Sequence, residues 1–411
     1  MVYYALVAAV AALVTYAATF GVRRLALQNG AVVQPDQRRV HDRPTPTVGG
    51  AAMLVAFLVA MGLASLLPYF HRQFAGSSEP IGVVLAALVI FAVGMVDDLR
   101  DVSAPGKVAG QVLAATVLYY AGVTMYSIKL PLTHQELVLS PSVTPLLTAV
   151  WVVGIANAIN LIDGLDGLAA GIVAIAAGSF AIYSLQLMHL GLLSSDSIGP
   201  LIAAVTAGVC LGFLPHNFHP AKIFMGDAGA MLLGLLMAAS TSVVGGRTGA
   251  VSGHTYFFFV PLLIPLVILG VPMLDTAFAI VRRTARRSGV ATADKAHLHH
   301  RLLQMGHGHV RSVLILWAWT AVLSGFVLFP LFFNSGNAVI PFAAAALGIA
   351  LYTLLHPGLP KRSRRTRRQG TSEQVPQQRR GDGTGAQRAP EQHQEAATPA
   401  AVGSRRQPGR S

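Results

Sequence analysis

Long runs of uncharged, mostly apolar residues recur along the sequence up to about residue 356. Each run is close to the ~20 residues that an α-helix needs to cross a bilayer. Because only 11% of the residues are charged, the runs are seldom interrupted, and a water-soluble fold is excluded. The sequence therefore predicts an all-α, polytopic integral membrane protein with its transmembrane domain over residues 1–356. We count eleven runs, at about 3–21, 47–67, 80–96, 107–126, 144–160, 168–190, 198–214, 228–245, 255–281, 311–333 and 338–356.

Basic residues are distributed unevenly between the loops that join these runs. If the N-terminus lies outside the cell, fifteen Lys and Arg residues fall in cytoplasmic loops, and only Arg72, Lys129 and Arg247 fall outside. Lys and Arg in short loops stay on the cytoplasmic side of a membrane, so this distribution favours that orientation. With an odd number of spans, the C-terminus is then cytoplasmic.

The end of the chain, residues 357–411, has a different composition. It is rich in Arg, Gln, Gly, Pro and Ser, and it carries twelve basic and four acidic residues. Such a segment cannot bury an apolar core, so we expect a disordered tail. Its charge would attract anionic lipid of the inner leaflet. We expect no nucleic acid partner for a tail held at a membrane.

Most acidic residues before the tail fall on the predicted cytoplasmic face. Acids do not follow the positive-inside rule strongly, so topology alone does not explain this clustering. It predicts a shared site on that face. The nine acids concerned are Asp36, Asp42, Asp97, Asp98, Asp101, Asp163, Asp166, Asp227 and Asp294.

Three of these acids lie in "VDDLRD", at the end of the third run. If the helix continues for one more turn, Asp101 shares a face with Asp97 and Asp98. Three carboxylates on one face repel one another unless a cation lies among them. A solvated helix end, neutralised by Arg100 and Lys107, is the alternative explanation.

The segment "NAINLIDGLDGLAAG" (157–171) is polar between two apolar runs. Asn157, Asn160 and Asp163 are spaced by three and line one side of a helix. Because Asn and Asp are costly in hydrocarbon, they must face a polar cavity or one another. A polar packing seam would explain the asparagines, but not Asp163 and Asp166 beside glycines that let a ligand approach the backbone.

Two further segments are polar at the same predicted face. Asn217, Lys222 and Phe224 precede Asp227, which begins the eighth run and could simply cap that helix. The segment 291–309 holds five histidines. These could bind a transition metal, but the preceding "RRTARR" favours an anion such as a phosphate.

This mixture of side chains points to phosphate chemistry. Hard carboxylate oxygens suit Mg²⁺ or Mn²⁺, which proteins commonly hold with one or two carboxylates and the phosphates of a substrate. Nearby Arg, Lys and His would stabilise charge on a phosphoryl group during its transfer. The residues thus indicate a phosphate or diphosphate substrate from the cytoplasm and, at the end of a helix bundle, a lipid as the second substrate.

Five segments resemble, in the same order, those of the polyprenyl-phosphate N-acetylhexosamine-1-phosphate transferases. This bacterial family also contains the muramoyl-pentapeptide translocase. The resemblance covers about residues 1–356. The segments are "RRVHDRPTPTVGG" (38–50), "VDDLRD" (96–101), "NAINLIDGLDGLAAG" (157–171), "NFHPAKIFMGDAGAMLLG" (217–234) and "HLHHRLL" (297–303).

The resemblance implies an Mg²⁺- or Mn²⁺-dependent reaction in the bacterial plasma membrane, with the active site on the cytoplasmic face. A polyprenyl phosphate, undecaprenyl or decaprenyl, attacks the β-phosphorus of UDP-N-acetylglucosamine. UMP is released and a lipid-linked diphosphate sugar forms, as the first lipid-linked step of a cell-envelope glycopolymer.

The resemblance also implies roles for single residues. Asp227 is the principal metal ligand, with Asp98 as a second, and Asp97 and Asp98 lie beside the phosphates. We expect Asp97 to position groups rather than to remove a proton, because a phosphate monoester has a second pKa of about 6. The implied substrate-binding residues are His41, Asn157, Asn160, Asp163, Asp166, Asn217, Lys222, Phe224, His297, His299, His300 and Arg301.

Three details separate this chain from parts of the family. "HLHH" resembles the branch that uses UDP-N-acetylglucosamine, whereas the translocase has consecutive histidines. The translocase has a lysine near the position of Asp42, which "RRVHDRPTP" lacks. Ala230 stands where the family usually has serine, so a capping hydroxyl is absent there.

Two alternative functions remain open from the sequence. One is transfer of phospho-N-acetylmuramoyl-pentapeptide on the same fold. The other is a transporter or flippase for a phosphorylated lipid, which would place polar residues near the bilayer midplane and usually has internal repeats. We find no repeat. The sequence does not determine the pathway, the prenyl length or the oligomeric state, and it is compatible with a homodimer.

Overall fold

The structure is a computed structural model that describes residues 1–30, 45–129, 136–247, 270, 302–303, 305–333 and 339–355. These residues are almost entirely helical, which confirms the predicted fold class. All of them belong to one compact unit, Met1–Pro360. The predicted ninth run (apart from residue 270) and the tail after residue 356 lie outside the described residues.

The predicted runs in the described chain each correspond to a helix. A 3₁₀ turn, Pro68–Phe70, joins α2 to the short helix α3, and the chain bends by 85° there. The helices are α1 Val2–Gln28, α2 Gly50–Leu66, α3 His71–Ala75, α4 Glu79–Arg100, α5 Ala104–Tyr120, α6 Thr144–Ile162, α7 Leu168–His189, α8 Gly199–Asn217, α9 Gly226–Gly245, α10 His309–Phe332 and α11 Val339–Leu355.

Seven of the described helices are long and apolar enough to cross a bilayer, or eight if the bent pair at α2 is one span. The seven are α1, α4, α6, α7, α8, α9 and α10. A multi-pass membrane protein is thereby supported, while the count of eleven spans and the orientation stay predictions.

Helix α9 lies at the centre of the described bundle, and the apolar part of it is wholly buried. It packs against α4, α6, α8 and α2, and α5 packs against α4 and α6. Small residues allow the close contacts, as is common between membrane helices. A Cβ atom on Gly94 of α4 would lie 2.4 Å from the Ala228 Cα, and one on Gly50 of α2 would lie 2.4 Å from the Gly229 N.

Between α5 and α6 the chain forms a short antiparallel hairpin, β1 Ser127–Lys129 and β2 Glu136–Val138, in which Ile128 pairs with Leu137. Three residues per strand are too few to have been recognised from the sequence pattern. An ion pair lies near the hairpin, at the same end of the bundle. Arg247, just after α9, contacts the Glu79 carboxylate at the start of α4 and the Gly122 carbonyl oxygen.

Candidate active site

Several helix ends meet at one end of the bundle, which we call the acidic end. There α4, α6 and α8 terminate and α5, α7 and α9 begin. The antiparallel course of the chain brings together side chains from three of the five segments that resemble the transferase family, and the backbone of a fourth, residues 38–50, bonds to the loop before α9. The site's residues therefore lie at helix termini, where backbone groups are also exposed for hydrogen bonding.

Lys107 joins two of the predicted catalytic carboxylates. Its ammonium group lies 2.7 Å from Asp227 Oδ2 and also forms an ion pair with Asp97 Oδ2. Asp97 is nearly buried and accepts a second hydrogen bond, 2.7 Å long, from the Val102 N–H. One cation thus holds two carboxylates, from α4 and α9, that would otherwise repel each other.

Asp98 caps helix α9 from a neighbouring helix. Its Oδ1 accepts a hydrogen bond of 2.8 Å from the Asp227 N–H, and its Oδ2 accepts one of 3.0 Å from the Ala228 N–H. Gly226 makes this contact possible, because it has a φ of +71° and a Cβ there would lie 2.5 Å from Asp98 Oδ2. The Asp227 carboxylate is therefore free of the capping role that the sequence left open for it.

Asn160 and Asp163 extend this cluster from the end of α6. The Asn160 side chain interacts with the Asp227 carboxylate. Asp163 follows the last helical residue, and its pKa is raised to about 7 by burial and, secondarily, by the carboxylates of Asp227 and Asp98. The site therefore concentrates negative charge in a small volume, which is the electrostatic condition for binding a cation.

The turn after Asp163 is held by Asn217 at the end of α8. Asn217 Oδ1 accepts a hydrogen bond of 3.0 Å from the Gly167 N–H, and its Nδ2 donates one of 3.0 Å to the Ile223 carbonyl. Gly167 has a φ of +76°, which few residues other than glycine adopt. Asn217 is buried and thus connects the loop before α7 to the loop before α9.

Asp166 forms hydrogen bonds with two histidines and with a backbone N–H. Its Oδ2 lies 2.7 Å from His219 Nδ1 and accepts a hydrogen bond of 3.0 Å from the Ala221 N–H. The Asp166 N–H donates to His309 Nε2 at 3.0 Å, and the rings of His219 and His309 stack with centroids 4.3 Å apart. Asp166 thereby links three segments of the acidic end.

Phe224 and Lys222 complete the loop that enters α9. Phe224 pairs through its backbone, donating to the Pro46 carbonyl and accepting from the Gly49 N–H. Lys222 is exposed beside it. The loop is therefore held in place by main-chain contacts, which leaves the Lys222 side chain available to a ligand.

Two groups in the described chain have the composition of a metal site. The carboxylates of Asp97, Asp98 and Asp227 offer only hard oxygen atoms, and Lys107 already places a positive charge among them. This donor set fits Mg²⁺ or Mn²⁺. The ligand atoms of Asp166, His219 and His309 lie within 4.8 Å of one another. Hydrogen bonds among these three residues account for that arrangement without a metal.

One expectation about the site is wrong, and the structure gives a second predicted residue, Asn157, contacts inside the protein. Asp101 does not share a face with Asp97 and Asp98, because α4 ends at Arg100 and Asp101 takes a left-handed conformation with a φ of 48°. Asn157 donates both amide hydrogens within the protein, to Gln111 Oε1 and to the Val153 carbonyl, each at 2.7 Å. His41, His297, His299, His300 and Arg301 lie outside the described residues, so their roles stay predictions.

From the sequence alone, Lys107 is expected only to neutralise nearby acids, and no role is indicated for His219 or Gln111. For Lys107 the usable signal is its position at the start of an apolar run, six residues after "VDDLRD", because a basic residue at the edge of a span is best placed when a nearby acid pairs with it. His219 carries no comparable signal, because its partner Asp166 lies 53 residues away in the sequence.

Comparison with known proteins agrees with this geometry. The family model for glycosyl transferase family 4 matches residues 80–245, which include Asp97, Asp98, Asp163 and Asp227. The decaprenyl-phosphate N-acetylglucosaminephosphotransferase of Mycolicibacterium smegmatis is 42% identical over 362 residues, which cover 85% of this chain and 88% of that protein.

Two further relatives are similar over most of their length. The probable undecaprenyl-phosphate N-acetylglucosaminyl 1-phosphate transferase of Bacillus subtilis is 38% identical over 72% of this chain and 76% of its own. The phospho-N-acetylmuramoyl-pentapeptide-transferase of Moorella thermoacetica is 32% identical over 72% of this chain and 88% of its own. With the carboxylates gathered at one end of the bundle, this extent of similarity shows that the chain belongs to glycosyl transferase family 4.

Proposed function

We propose that the protein is a phosphotransferase that moves N-acetylglucosamine 1-phosphate from UDP-N-acetylglucosamine to a polyprenyl phosphate. The lipid phosphate oxygen forms a bond to the β-phosphorus of the UDP-sugar. The bond from that phosphorus to the bridging oxygen breaks, and UMP leaves with the oxygen. The product is a polyprenyl diphosphate that carries N-acetylglucosamine.

The observation that carries this proposal is a cluster at the end of an apolar helix bundle, in which Lys107 pairs with Asp97 and Asp227 and Asp98 accepts from the Asp227 N–H. A charged site at the end of membrane helices is accessible both to a nucleotide from water and to a lipid phosphate from the bilayer. The relatives named for N-acetylglucosamine phosphate transfer, at 42% and 38% identity, support the same reaction.

In this proposal Lys107 screens the phosphates, and Asp97 keeps Lys107 in place. Asp98 acts through the helix, because its two hydrogen bonds orient the first turn of α9 and with it Asp227. Asp163, Asp166, Asn217 and Phe224 form the nucleotide side of the site, together with Lys222. The predicted contacts of His41, His297, His299, His300 and Arg301 with substrate belong to the same hypothesis.

Asp227 would be the main ligand of an Mg²⁺ or Mn²⁺ ion, with Asp98 beside it as predicted. When bound, such an ion neutralises charge that develops on the transferred phosphate and on the leaving UMP. Lys107, already 2.7 Å from Asp227, would then turn its ammonium group toward a substrate phosphate.

We also propose that the acidic end faces the cytoplasm of a bacterial cell and that the chain crosses the plasma membrane eleven times. The fifteen-to-three distribution of basic residues supports this orientation. UDP-sugars are made in the cytoplasm, so the proposed substrate is on the same side.

The deciding experiment supplies purified protein with polyprenyl phosphate, Mg²⁺ and one nucleotide sugar at a time, and identifies the lipid product by mass spectrometry. The expected product is polyprenyl-diphospho-N-acetylglucosamine, formed with one equivalent of UMP. UDP-N-acetylmuramoyl-pentapeptide is the second donor to test, because the Moorella thermoacetica relative is named for the transfer of phospho-N-acetylmuramoyl-pentapeptide. A product from the pentapeptide donor alone would replace the proposed donor, and no product from either would contradict the transferase assignment.

A further inference from the structure

A second group of polar side chains lies below the carboxylates, inside the bundle. Gln111 of α5 is completely buried. Its Oε1 accepts the 2.7 Å hydrogen bond from Asn157 Nδ2 of α6, and its Nε2 donates to the Met231 sulfur of α9 at 3.3 Å. We call Gln111, Asn157 and Met231 the second layer.

The second layer lies on the same three helices as Lys107, Asn160 and Asp227, which are nearer the acidic end. Gln111 lies four residues after Lys107 in α5, and Met231 lies four residues after Asp227 in α9. Asn157 lies three residues before Asn160 in α6. Residues three or four apart share a helix face, about one turn or 5.4 Å apart along the axis. The contact of Lys107 with Asp227 therefore has a counterpart one turn deeper, between Gln111 and Met231, and Asn157 joins this group through its hydrogen bond to Gln111.

A buried amide between apolar helices restricts how those helices can slide. A Gln side chain that is buried among apolar groups without hydrogen-bond partners destabilises the protein relative to one whose partners are in place. A shift of α5 by one residue, about 1.5 Å, would separate Gln111 from both of its partners. The same shift would move Lys107 relative to Asp227, so the position that satisfies Gln111 is also the one that forms the ion pair.

We propose that Gln111 and Asn157 are positioning residues. They fix where Lys107 and Asn160 lie along their helices relative to the Asp227 carboxylate, and this position sets the affinity of the carboxylate for a divalent cation. The inference rests on the proposed function for its link to catalysis. It gives Asn157 a task inside the protein in place of contact with the nucleotide sugar.

The test uses Gln111→Met, which keeps the side-chain volume and removes both hydrogen bonds. Removing a partner that orients a metal ligand typically lowers metal affinity or activity about 10- to 100-fold. We expect kcat to fall about tenfold or more and the half-saturating Mg²⁺ concentration to rise several-fold. The KM for UDP-N-acetylglucosamine should change less than about twofold, because Asp166 and Asn217 are held by other contacts.

A matched control removes a buried hydrogen bond that is far from the acidic end. Thr148 of α6 shares a 2.6 Å hydrogen bond with Thr124. It lies nine residues before Asn157, about 13.5 Å along the helix. Thr148→Val should lower the midpoint of thermal unfolding while kcat and the Mg²⁺ requirement stay at wild-type values.

A second readout needs no turnover. Mn²⁺ is titrated into purified protein without substrates, and the rise in the thermal unfolding midpoint is recorded. Wild type and Thr148→Val should reach half of their full rise at the same Mn²⁺ concentration, and Gln111→Met should need several-fold more. Asn157→Ser removes the donor of the same Asn157–Gln111 hydrogen bond and should give the same shift in the Mn²⁺ requirement. This variant keeps the test possible if Gln111→Met does not fold. The double variant should be no worse than either single variant, because both remove one interaction.

The outcomes separate the two proposals. If wild type forms no lipid product while the Mn²⁺ titrations differ as expected, the proposed function fails and the positioning role stands. If Gln111→Met and Asn157→Ser lower the unfolding midpoint as Thr148→Val does, but keep the wild-type Mn²⁺ and Mg²⁺ requirements, the second layer only stabilises the fold and the inference is overturned.

Discussion

At the scale of single residues, the site depends on one lysine that forms ion pairs with two carboxylates. Lys107 balances Asp97 and Asp227, so the negative charge of each carboxylate is compensated from the same point. Lysine is suited to this position because its ammonium is a compact charge on a flexible stem, which can turn from a carboxylate to a phosphate. In the proposed function, a substrate phosphate and a divalent cation would replace the ion pairs of Lys107 with Asp97 and Asp227.

Asp227→Asn should lower the transfer rate about 10²-fold or more, because losing one strong electrostatic contact in a closed site has effects of this size. The fold should persist, since Asp98 and not Asp227 caps α9. Steady-state kinetics and the thermal unfolding midpoint in detergent are the measurements. Asp196→Asn, in an exposed loop distant in sequence from the site, is the control and should leave the rate unchanged. Near-normal transfer by Asp227→Asn would contradict the metal-ligand role.

Asp163 should make the stability of the cation-free enzyme depend on pH. Its pKa is about 7 in the folded protein, whereas an exposed Asp has a pKa of about 3.9. Because the folded-state pKa is raised, the stabilising contribution is fully present below about pH 4 and is lost as the pH rises through about 7. In EDTA, the unfolding midpoint of wild type should thus fall as the pH rises from about 4 to about 7. Asp163→Asn should show a smaller decrease, and parallel curves for the two proteins would exclude Asp163 as the cause.

At the scale of helices, charged side chains from one element complete the terminus of another. An N-terminal turn leaves up to four N–H groups without helical partners, and a carboxylate there is favoured by the helix dipole as well. In α9 the carboxylate comes from Asp98 of α4, which ties the orientation of Asp227 to the packing of two helices.

Replacing Asp98 should therefore affect stability and activity together. Loss of a capping side chain costs about 1 kcal/mol, so Asp98→Ala should lower the unfolding midpoint. Asp98→Asn retains an acceptor oxygen and should lose less stability than the alanine variant. Thermal unfolding and transfer assays of both variants are the measurements. Equal midpoints for alanine and wild type would show that the cap contributes nothing.

The opposite end of α9 is held by Arg247. Its guanidinium reaches Glu79, the Gly122 carbonyl and the ring of Tyr126, 5.0 Å away. Lysine keeps the charge but cannot make these directional contacts together, so Arg247→Lys should lower the unfolding midpoint. The rate of transfer at a temperature where the variant is folded should equal that of wild type. A slower rate would mean that the two ends of the bundle are coupled.

At the scale of the whole molecule, successive helices run in alternating directions around α9, and this alternation forms the site. This arrangement brings helix termini that are far apart in the sequence to one end of the bundle. Our prediction is that this end faces the cytoplasm.

Single cysteines can test the orientation, because the native Cys210 is buried and should not react with a membrane-impermeant reagent. In intact cells, Arg100→Cys and Lys222→Cys should be protected from external maleimide and should react only after the membrane is opened. Arg72→Cys should react from outside. The reverse pattern would invert the topology and move the acidic end to the cell exterior.

The sequence by itself determined the fold class, the polar segments and the family. These properties are local. Apolar runs of span length predict helices, and because Asn and Asp are unfavourable in hydrocarbon, they indicate functional segments without knowledge of the tertiary contacts. Motif order then identified the transferase family. The prediction that Asp97, Asp98, Asp163 and Asp227 share a site needed only the alternation of spans.

Only the tertiary structure decided what each of these side chains does. Whether Asp227 caps its own helix or faces a cation depended on Asp98, which lies 129 residues earlier and competes for the same N–H groups. The partners of Asp166 and Asn157, His219 and Gln111, lie on other helices or loops, at distances along the chain that no period in the sequence encodes. Hydrogen bonds and ion pairs act over a few ångströms, so their partners are chosen by helix packing, and that packing is set by small residues such as Gly94 against Ala228.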